Sequence, residues 1–426
     1  MGSVRDLAER LWRGEITTYE HHPWTAVGDI EEIAERTIFY RSFANVTAFE
    51  TDAGLVLLDT GAYFNQSQTY EALRGWSKAR LDTAVYTHGH VDHVFGVPPF
   101  AEEAKEKGWT APRIIGHEAV AERFDRYILT AGYNSIINQR QFGSRQAPPL
   151  IWPTEYQYPD TTYDEALTVD VAGTRFELYH ARGETDDHTW AWVPERKVLC
   201  PGDLIIWAVP NAGNPQKVQR YANEWAQALR KMASLNAEVL SPGHGIIVVG
   251  PDRVRQILLD TAEFLQSLHD QTVHLMNEGA TLDELIHAVK PPAHLEGRPY
   301  LQPVYDEPQY IVRNVYRLYG GWYDGNPSHL KPAPEAEQAA EIVRLAGGLQ
   351  PLLKRTRELV DKGNLRLACH LIEWAAKAAP EDLGVHELRA EVYGKRLDKE
   401  TATMTKGVFR WAMTESTEIA GGEAGD

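Results

Sequence analysis

Ten residues, Thr87-His88-Gly89-His90-Val91-Asp92-His93-Val94-Phe95-Gly96, constrain this chain more than any other stretch. Three imidazoles and a carboxylate in the spacing His-x-His-x-Asp-His are hard to explain by packing, because such groups need partners when buried. They are the donor types that divalent metals take. The preceding run, Leu81 to Thr87, reads as a short strand. That places the donors on the loop leaving its C-terminal end, where open α/β architectures carry their chemistry.

The arrangement of strand, small-residue turn and donor recurs downstream, and the recurrence is stronger evidence than any single match. Phe176-Glu177-Leu178 reads as a strand entering Tyr179-His180-Ala181-Arg182-Gly183-Glu184-Thr185-Asp186-Asp187-His188, where His180, Glu184 and His188 all offer donor atoms. Lys197 to Cys200 leads to Pro201-Gly202-Asp203, and Ala237 to Leu240 leads to Ser241-Pro242-Gly243-His244-Gly245. Upstream, Thr37–Tyr40, Val46–Glu50 and Leu55–Asp59 read as strands, with Ala53-Gly54 as a hairpin turn. Asp59, at the start of Asp59-Thr60-Gly61, is either a turn aspartate or a carboxylate that orients a metal-binding imidazole. His117 follows the short strand Arg113 to Gly116 and is read as a helix-start or surface residue. Residues 127–153 show little periodicity. They are read as a pocket wall beside the metal loop, with Arg140 either an anion partner or an ordinary surface arginine.

His88-x-His90-x-Asp92-His93 resembles the signature of the metallo-β-lactamase superfamily. The resemblance implies an α/β fold, the αββα sandwich, with a one- or two-metal site at its edge. It implies that His88, His90 and the residue after Gly183 hold one ion, that Asp92, His93 and His244 hold the second, and that Asp203 is shared. Most members have histidine after that glycine. Glu184 resembles the alkylsulfatase branch, and His180 and His188 remain rival donors. That branch usually carries glutamate where this chain has Asp203, a departure that bears on the substrate. The implied cofactors are two Zn²⁺ ions per chain, with Mn or Fe as other divalent choices. A water between two such ions about 3.5–4 Å apart gives up a proton and supplies hydroxide, so no serine or cysteine nucleophile is required. Asp92 and Asp203 are the catalytic candidates.

Between Asp203 and His244, the turn-rich run Pro210 to Tyr221 opens a helix through Trp225 and Leu229. Asn211, Asn214, Lys217 and Arg220 in it are candidate donors to an anionic substrate, and capping and solvated turn residues are the alternative. Beyond Gly250 the periodicity is helical, over residues 251–270, 280–290, 308–320, 335–347, 350–362, 365–379 and 383–412. The pair at 350–379 looks like a tetratricopeptide-like hairpin, too short for an array. The aromatic-rich run Tyr310 to Pro327 resembles the alkylsulfatase dimerisation domain, which implies a homodimer. We therefore expect a catalytic domain over 1–250 and a helical dimerisation domain over 251–426. The resemblance lacks the sterol-carrier-like third domain of the detergent-degrading members, which implies short or medium alkyl sulfates as substrates.

At 426 residues and 43% hydrophobic content the chain has ample material for two cores. Residues 1–20 read as an amphipathic helix with Leu7, Leu11 and Trp12 on one side. A net charge of −17 repels polyanions, which argues against nucleic acid as a partner. The charged N-terminus and the lack of a long apolar run argue against a signal peptide or a membrane, so a cytoplasmic location is expected. Cys200 and Cys369 lie far apart and are not read as ligands. The function expected is hydrolysis of an organic sulfate ester at a dinuclear centre. A thioesterase or lactonase on the same metals, or a non-catalytic dimerisation scaffold with a structural metal, are the alternatives.

Overall fold

The computed structural model describes residues 3–142 and 145–422. Its first sheet runs β1 (Ile30–Ala34), β2 (Thr37–Tyr40), β3 (Val46–Glu50), β4 (Leu55–Leu58), β5 (Leu81–Val85), β6 (Arg113–His117) and β7 (Thr161–Tyr163) in that order. The first three pairings are antiparallel and the last three parallel. The second sheet consists of β8 (Ala166–Val171), β9 (Thr174–His180), β10 (Thr189–Val193), β11 (Val198–Gly202), β12 (Val239–Pro242) and β13 (Val248–Val249), with only β11 and β12 parallel.

Period-two side-chain alternation explains how the sheets stack. Ile38, Tyr40, Ala48, Leu55 and Leu57 face one way and pack with Leu73 and Phe100 of α2 (Gln66–Trp76) and α3 (Val97–Glu106). Phe39, Phe49, Val56 and Leu58 face the other way and join Phe176 and Leu178 of the second sheet in one core. Phe49 meets Phe176 edge to face with ring centroids 5.3 Å apart, and truncating either ring would cost about 3–5 kcal/mol. The far side of the second sheet is covered by α6 (Ala222–Ala233) and α7 (Pro251–Asn277), whose Trp225, Leu229, Ile257, Leu258 and Leu265 are buried in the same core. This is the expected αββα sandwich.

Several boundaries differ from the sequence reading. The first helix, α1 (Val4–Trp12), stops where Gly14 adopts a positive φ of 70°, well short of residue 20. The expected helix over 383–412 is two helices, α13 (Leu383–Leu397) and α14 (Thr403–Ile419), joined through Glu400-Thr401-Ala402, and they fold back so that Tyr393 meets Phe409.

By packing, the chain divides into a unit of Met1–Ala131 with Pro153–Gly321 and a unit of Gly132–Trp152 with Trp322–Asp426. The sequence reading placed the change of domain at residue 250. However, α7, α8 (Leu282–Ala288) and α9 (Pro308–Gly320) bury Leu268, Leu285, Ile311 and Val315 in the core of the first unit. The second unit has its own core of Leu352, Leu359, Ala368, Ile372, Val385, Leu388 and Val392 on α11 (Leu349–Asp361), α12 (Leu365–Ala378) and α13. Residues 132–152, read as a pocket wall, belong to this second unit. There Arg145 pairs with Glu415 and Glu418 of α14. The expected tail ends in residues 423–426, which lie outside those described. No described helix is long and apolar enough to cross a membrane.

Candidate metal centre

Loops from both sheets converge at one edge of the sandwich. The loop after β5 carries His88, His90, Asp92 and His93, and the β9–β10 hairpin carries Glu184 at its bend. The ends of β11 and β12 carry Asp203 and His244. Two groups form in which each residue offers a donor atom and these atoms lie within 4.8 Å of one another: His88, His90, Glu184 and Asp203, then Asp92, His93 and His244. Asp203 lies between them, with Oδ2 at 3.7 Å from His88 Nε2 and 3.4 Å from His244 Nε2, and Oδ1 at 3.4 Å from His93 Nε2. Close approach of the chain makes this possible. A Cβ on Gly243 would come within 2.1 Å of Asp203 Oδ1, so only glycine fits there.

The imidazoles are aimed from behind. Thr87 Oγ1 donates to Asp59 Oδ2 at 2.9 Å, which leaves its oxygen to accept from His88 Nδ1, also at 2.9 Å. His93 Nδ1 faces Asp59 Oδ2 at 2.7 Å, and His244 Nδ1 faces the Phe43 carbonyl at 2.6 Å. In each case a proton on Nδ1 leaves Nε2 as the free donor atom. Asp59 is therefore an orienting carboxylate, and it sits at a positive φ of 57°.

Burial, together with the neighbouring His93, lowers His88 well below the usual imidazole range. Burial and Arg123 do the same for His90. Both present neutral rings, the form that binds metal. Burial opposes a charge on His93, yet the carboxylates of Asp203, Asp59 and Asp92 outweigh it and hold it well above that range, so its Nε2 keeps a proton that a divalent ion would displace. Burial and the charge of Asp203 raise the Glu184 carboxyl.

Glu184 Oε2 is buried with no hydrogen-bond partner among the described residues, and His93 Nε2 and Asp203 Oδ1 meet only each other, at 3.4 Å, which leaves buried carboxylate charge that a cation would offset. The set is rich in nitrogen and oxygen, free of cysteine, and larger than the four-ligand cage of a structural zinc. These residues fit divalent metal.

The rival donors belong to neither group. His180 stacks on His117 with ring centroids 3.7 Å apart, and its Nδ1 faces the His188 carbonyl at 3.0 Å. His188 stacks on His88, and its Nε2 accepts from the Asp203 backbone N–H at 3.1 Å. His117, read as a helix-start or surface residue, is buried.

Of the candidate anion donors, Arg220 is buried with Nη1 at 2.8 Å from Glu184 Oε1, and Asn211 Nδ2 donates to the same oxygen. Asn214 is buried and accepts from the Gln216 backbone N–H. Lys217 is half-buried, and burial with the charge of Arg220 brings its ammonium down to about 7. Arg140 is in the last turn of α5 (Ala131–Gln141), in the second unit, and is not brought into either donor group.

Sequence reasoning missed three supports. Asp187, fully buried, accepts from the Gly89 N–H at 2.9 Å within the metal loop and pairs with Arg123 Nε at 2.9 Å. Trp24 stacks on His244 at 4.5 Å and on Tyr305 at 4.1 Å. Tyr305 is itself buried. No local motif marks any of them, because their partners are distant in sequence.

The family model described as the metallo-beta-lactamase superfamily matches residues 40–244, and the one described as alkyl sulfatase dimerisation matches residues 281–418. A linear primary-alkylsulfatase of Pseudomonas sp. is 29% identical over 395 residues, covering 88% of this chain and 74% of that protein. An (R)-specific secondary-alkylsulfatase of Pseudomonas sp. is 30% identical over 376 residues, covering 82% and 56%. The solved structure of the stereoselective inverting sec-alkylsulfatase Pisa1 from Pseudomonas sp. matches with a TM-score of 0.81 at 26% identity, covering 93% of this chain and 66% of that one. This chain thus spans only part of the length of each. With both segments matched and the donor clusters in place, the chain joins a segment of the metallo-β-lactamase superfamily to an alkyl sulfatase dimerisation segment.

Proposed function

We propose that this chain hydrolyses organic sulfate esters, ROSO₃⁻ + H₂O → ROH + HSO₄⁻, at a dinuclear centre. His88, His90 and Glu184 would hold one divalent ion and Asp92, His93 and His244 the other, with Asp203 lying between the two groups. The single observation that carries this reading is the pair of donor groups at the loop edge with Asp203 between them, next to a buried Arg220. Two divalent ions, zinc being our choice, supply Lewis acidity and lower the pKa of a water. The protein's own part is to aim the imidazoles through Asp59 and the Phe43 carbonyl, and to keep Glu184 fixed by Arg220 and Asn211.

The loop Pro210 to Tyr221 provides Arg220, Lys217 and Asn214 for the sulfate group. Arg220, joined by Lys217 when protonated, sets local positive charge against the −17 net charge that would otherwise repel an anion. Glu184 in place of a third imidazole, with a cationic partner of its own, favours sulfate esters over the neutral esters of general hydrolases. We also propose that the chain acts as a homodimer, supported by the dimerisation segment and by exposed Leu345, Leu367 and Leu383 on the second unit.

The test is a panel of sulfate esters, acyl thioesters and lactones under one set of metal conditions, ranked by kcat/KM. Sulfate release should lead. Thioesters or lactones leading by about tenfold, roughly 1.4 kcal/mol of transition-state binding, would transfer the assignment to them.

A further inference from the structure

Residues 306–317 belong to the segment matched by the dimerisation family, yet they lie in the first compact unit against the loop Pro210 to Tyr221. The contact is backbone on backbone. A Cβ on Gly213 would come within 2.3 Å of the Ile311 nitrogen and the Tyr310 carbonyl carbon, in the first turn of α9. Asp306, with no solvent exposure, ties the two together. Its Oδ2 accepts from the Gly213 N–H at 2.6 Å and its Oδ1 from the Glu307 N–H at 2.7 Å.

One turn further along α9, the buried Asn314 reaches both ends of the loop. Its Nδ2 donates to the Ala212 carbonyl at 2.8 Å and to the Arg220 carbonyl at 3.1 Å. The same residue is held in turn. Arg317 Nη2 donates to Asn314 Oδ1 at 2.8 Å, and Gln219 Nε2 donates to the Asn314 carbonyl at 3.0 Å. Ala212 is next to Asn211, and Arg220 is itself the cation on Glu184. One amide therefore fixes the backbone beneath both groups that meet this carboxylate.

We infer that Asn314, seated by the grip of Asp306 on Gly213, is a positioning residue for the anion-binding loop. It acts through Arg220 and Asn211 and thereby sets the affinity for the anionic group of the substrate. This rests on the proposed reading of the centre as a sulfate-ester hydrolase. On this account the front of the dimerisation segment is a working part of the active site. The physical reason is the loop's composition. Pro210-Asn211-Ala212-Gly213-Asn214-Pro215 is turn-forming and has no ladder of its own, so its geometry must be imposed from outside.

The experiment compares Asn314→Ala, Asn314→Asp and Asp306→Asn with the unaltered, metal-loaded full chain. Two readouts are taken: hydrogen exchange of peptides covering 211–221, and the separate KM and kcat for the best sulfate ester. Metal content is checked in each. Exchange in the loop should rise by about tenfold or more while the sheets stay protected, and KM should rise by about tenfold with kcat within about threefold. Asn314→Asp should exceed Asn314→Ala, because it sets a charge against two carbonyl oxygens.

Unchanged exchange in every variant, or faster exchange with unchanged KM, would overturn the inference, as would a fall in kcat at constant KM. If Asn314→Ala does not accumulate folded, Asp306→Asn carries the same readouts. Absence of sulfate-ester cleavage by the unaltered chain would sink the functional reading instead, while loop exchange would still report on the clamp.

Discussion

His93 Nδ1 sits 2.7 Å from Asp59 Oδ2, and the same carboxylate accepts from the Thr87 N–H at 2.8 Å and the Thr87 hydroxyl at 2.9 Å. Asp59 thus sets the direction of His93 directly and of His88 through Thr87. Asp59→Asn replaces one acceptor oxygen by an N–H₂ and cannot serve all three donors. Metal affinity should fall by about 10–100-fold, read by titration against a competing chelator, with circular dichroism unchanged. Unaltered affinity would reduce Asp59 to a turn residue.

Glu184 competes with His180 and His188 for the role of third donor to the first ion. Elemental analysis should find about two divalent ions per unaltered chain. Glu184→Ala should lose about one of them, whereas His180→Ala should lose none. His188→Ala should retain both but raise KM or lower kcat, because it removes the acceptor of the Asp203 backbone N–H. A greater metal loss in His180→Ala than in Glu184→Ala would move the ligand role.

Arg220 bonds Glu184 twice, through the side-chain oxygen at 2.8 Å and the backbone carbonyl at 2.7 Å. Arg220→Ala should cost sulfate esters about 1–3 kcal/mol in kcat/KM, the usual worth of hydrogen bonds to charged groups. Arg220→Lys should recover only part of this, since an ammonium lacks the planar fork. A full recovery by lysine would mean that charge alone matters there.

Away from the centre, Glu103 of α3 lies buried between Arg74 Nε and Lys107 Nζ, each at 2.8 Å. Burial works against its charge, but Lys107 and Arg74 outweigh it and hold the carboxyl below its ordinary value of 4.5. The unfolded chain therefore binds the proton more readily. The contribution is complete above about pH 4.5 and is lost as the pH falls through the lower folded value. Glu103→Gln should destabilise by about 1.5–3 kcal/mol at pH 7, and the gap to the unaltered chain should close in acid. Thermal melts across that range read it; a gap independent of pH would show packing rather than charge.

How much was legible beforehand follows from which interactions are local. All seven donors could be named in the chain because metal chemistry demands particular residue types, and each follows a strand whose period-two pattern is itself local. The helical second half was legible from its apolar period, although the break between α13 and α14 was not. No glycine or proline marks it, and it is fixed by the antiparallel packing of Tyr393 on Phe409.

Tertiary structure brings Glu184, and neither His180 nor His188, into a donor group. These three residues share one hairpin. Pairing of His180 with Thr189 turns its ring toward His117, and the bend carries Glu184 into the cluster. The same holds for Asn211 and Arg220, which composition marks as anion donors and folding also sets on Glu184. Asn314 and Asp306 have no local signature at all, since their partners lie about a hundred residues upstream. Sequence alone determined which atoms are available to bind a metal. Only the folded chain decided which of them meet, because a donor's direction depends on strand register and on backbone contacts made by distant segments.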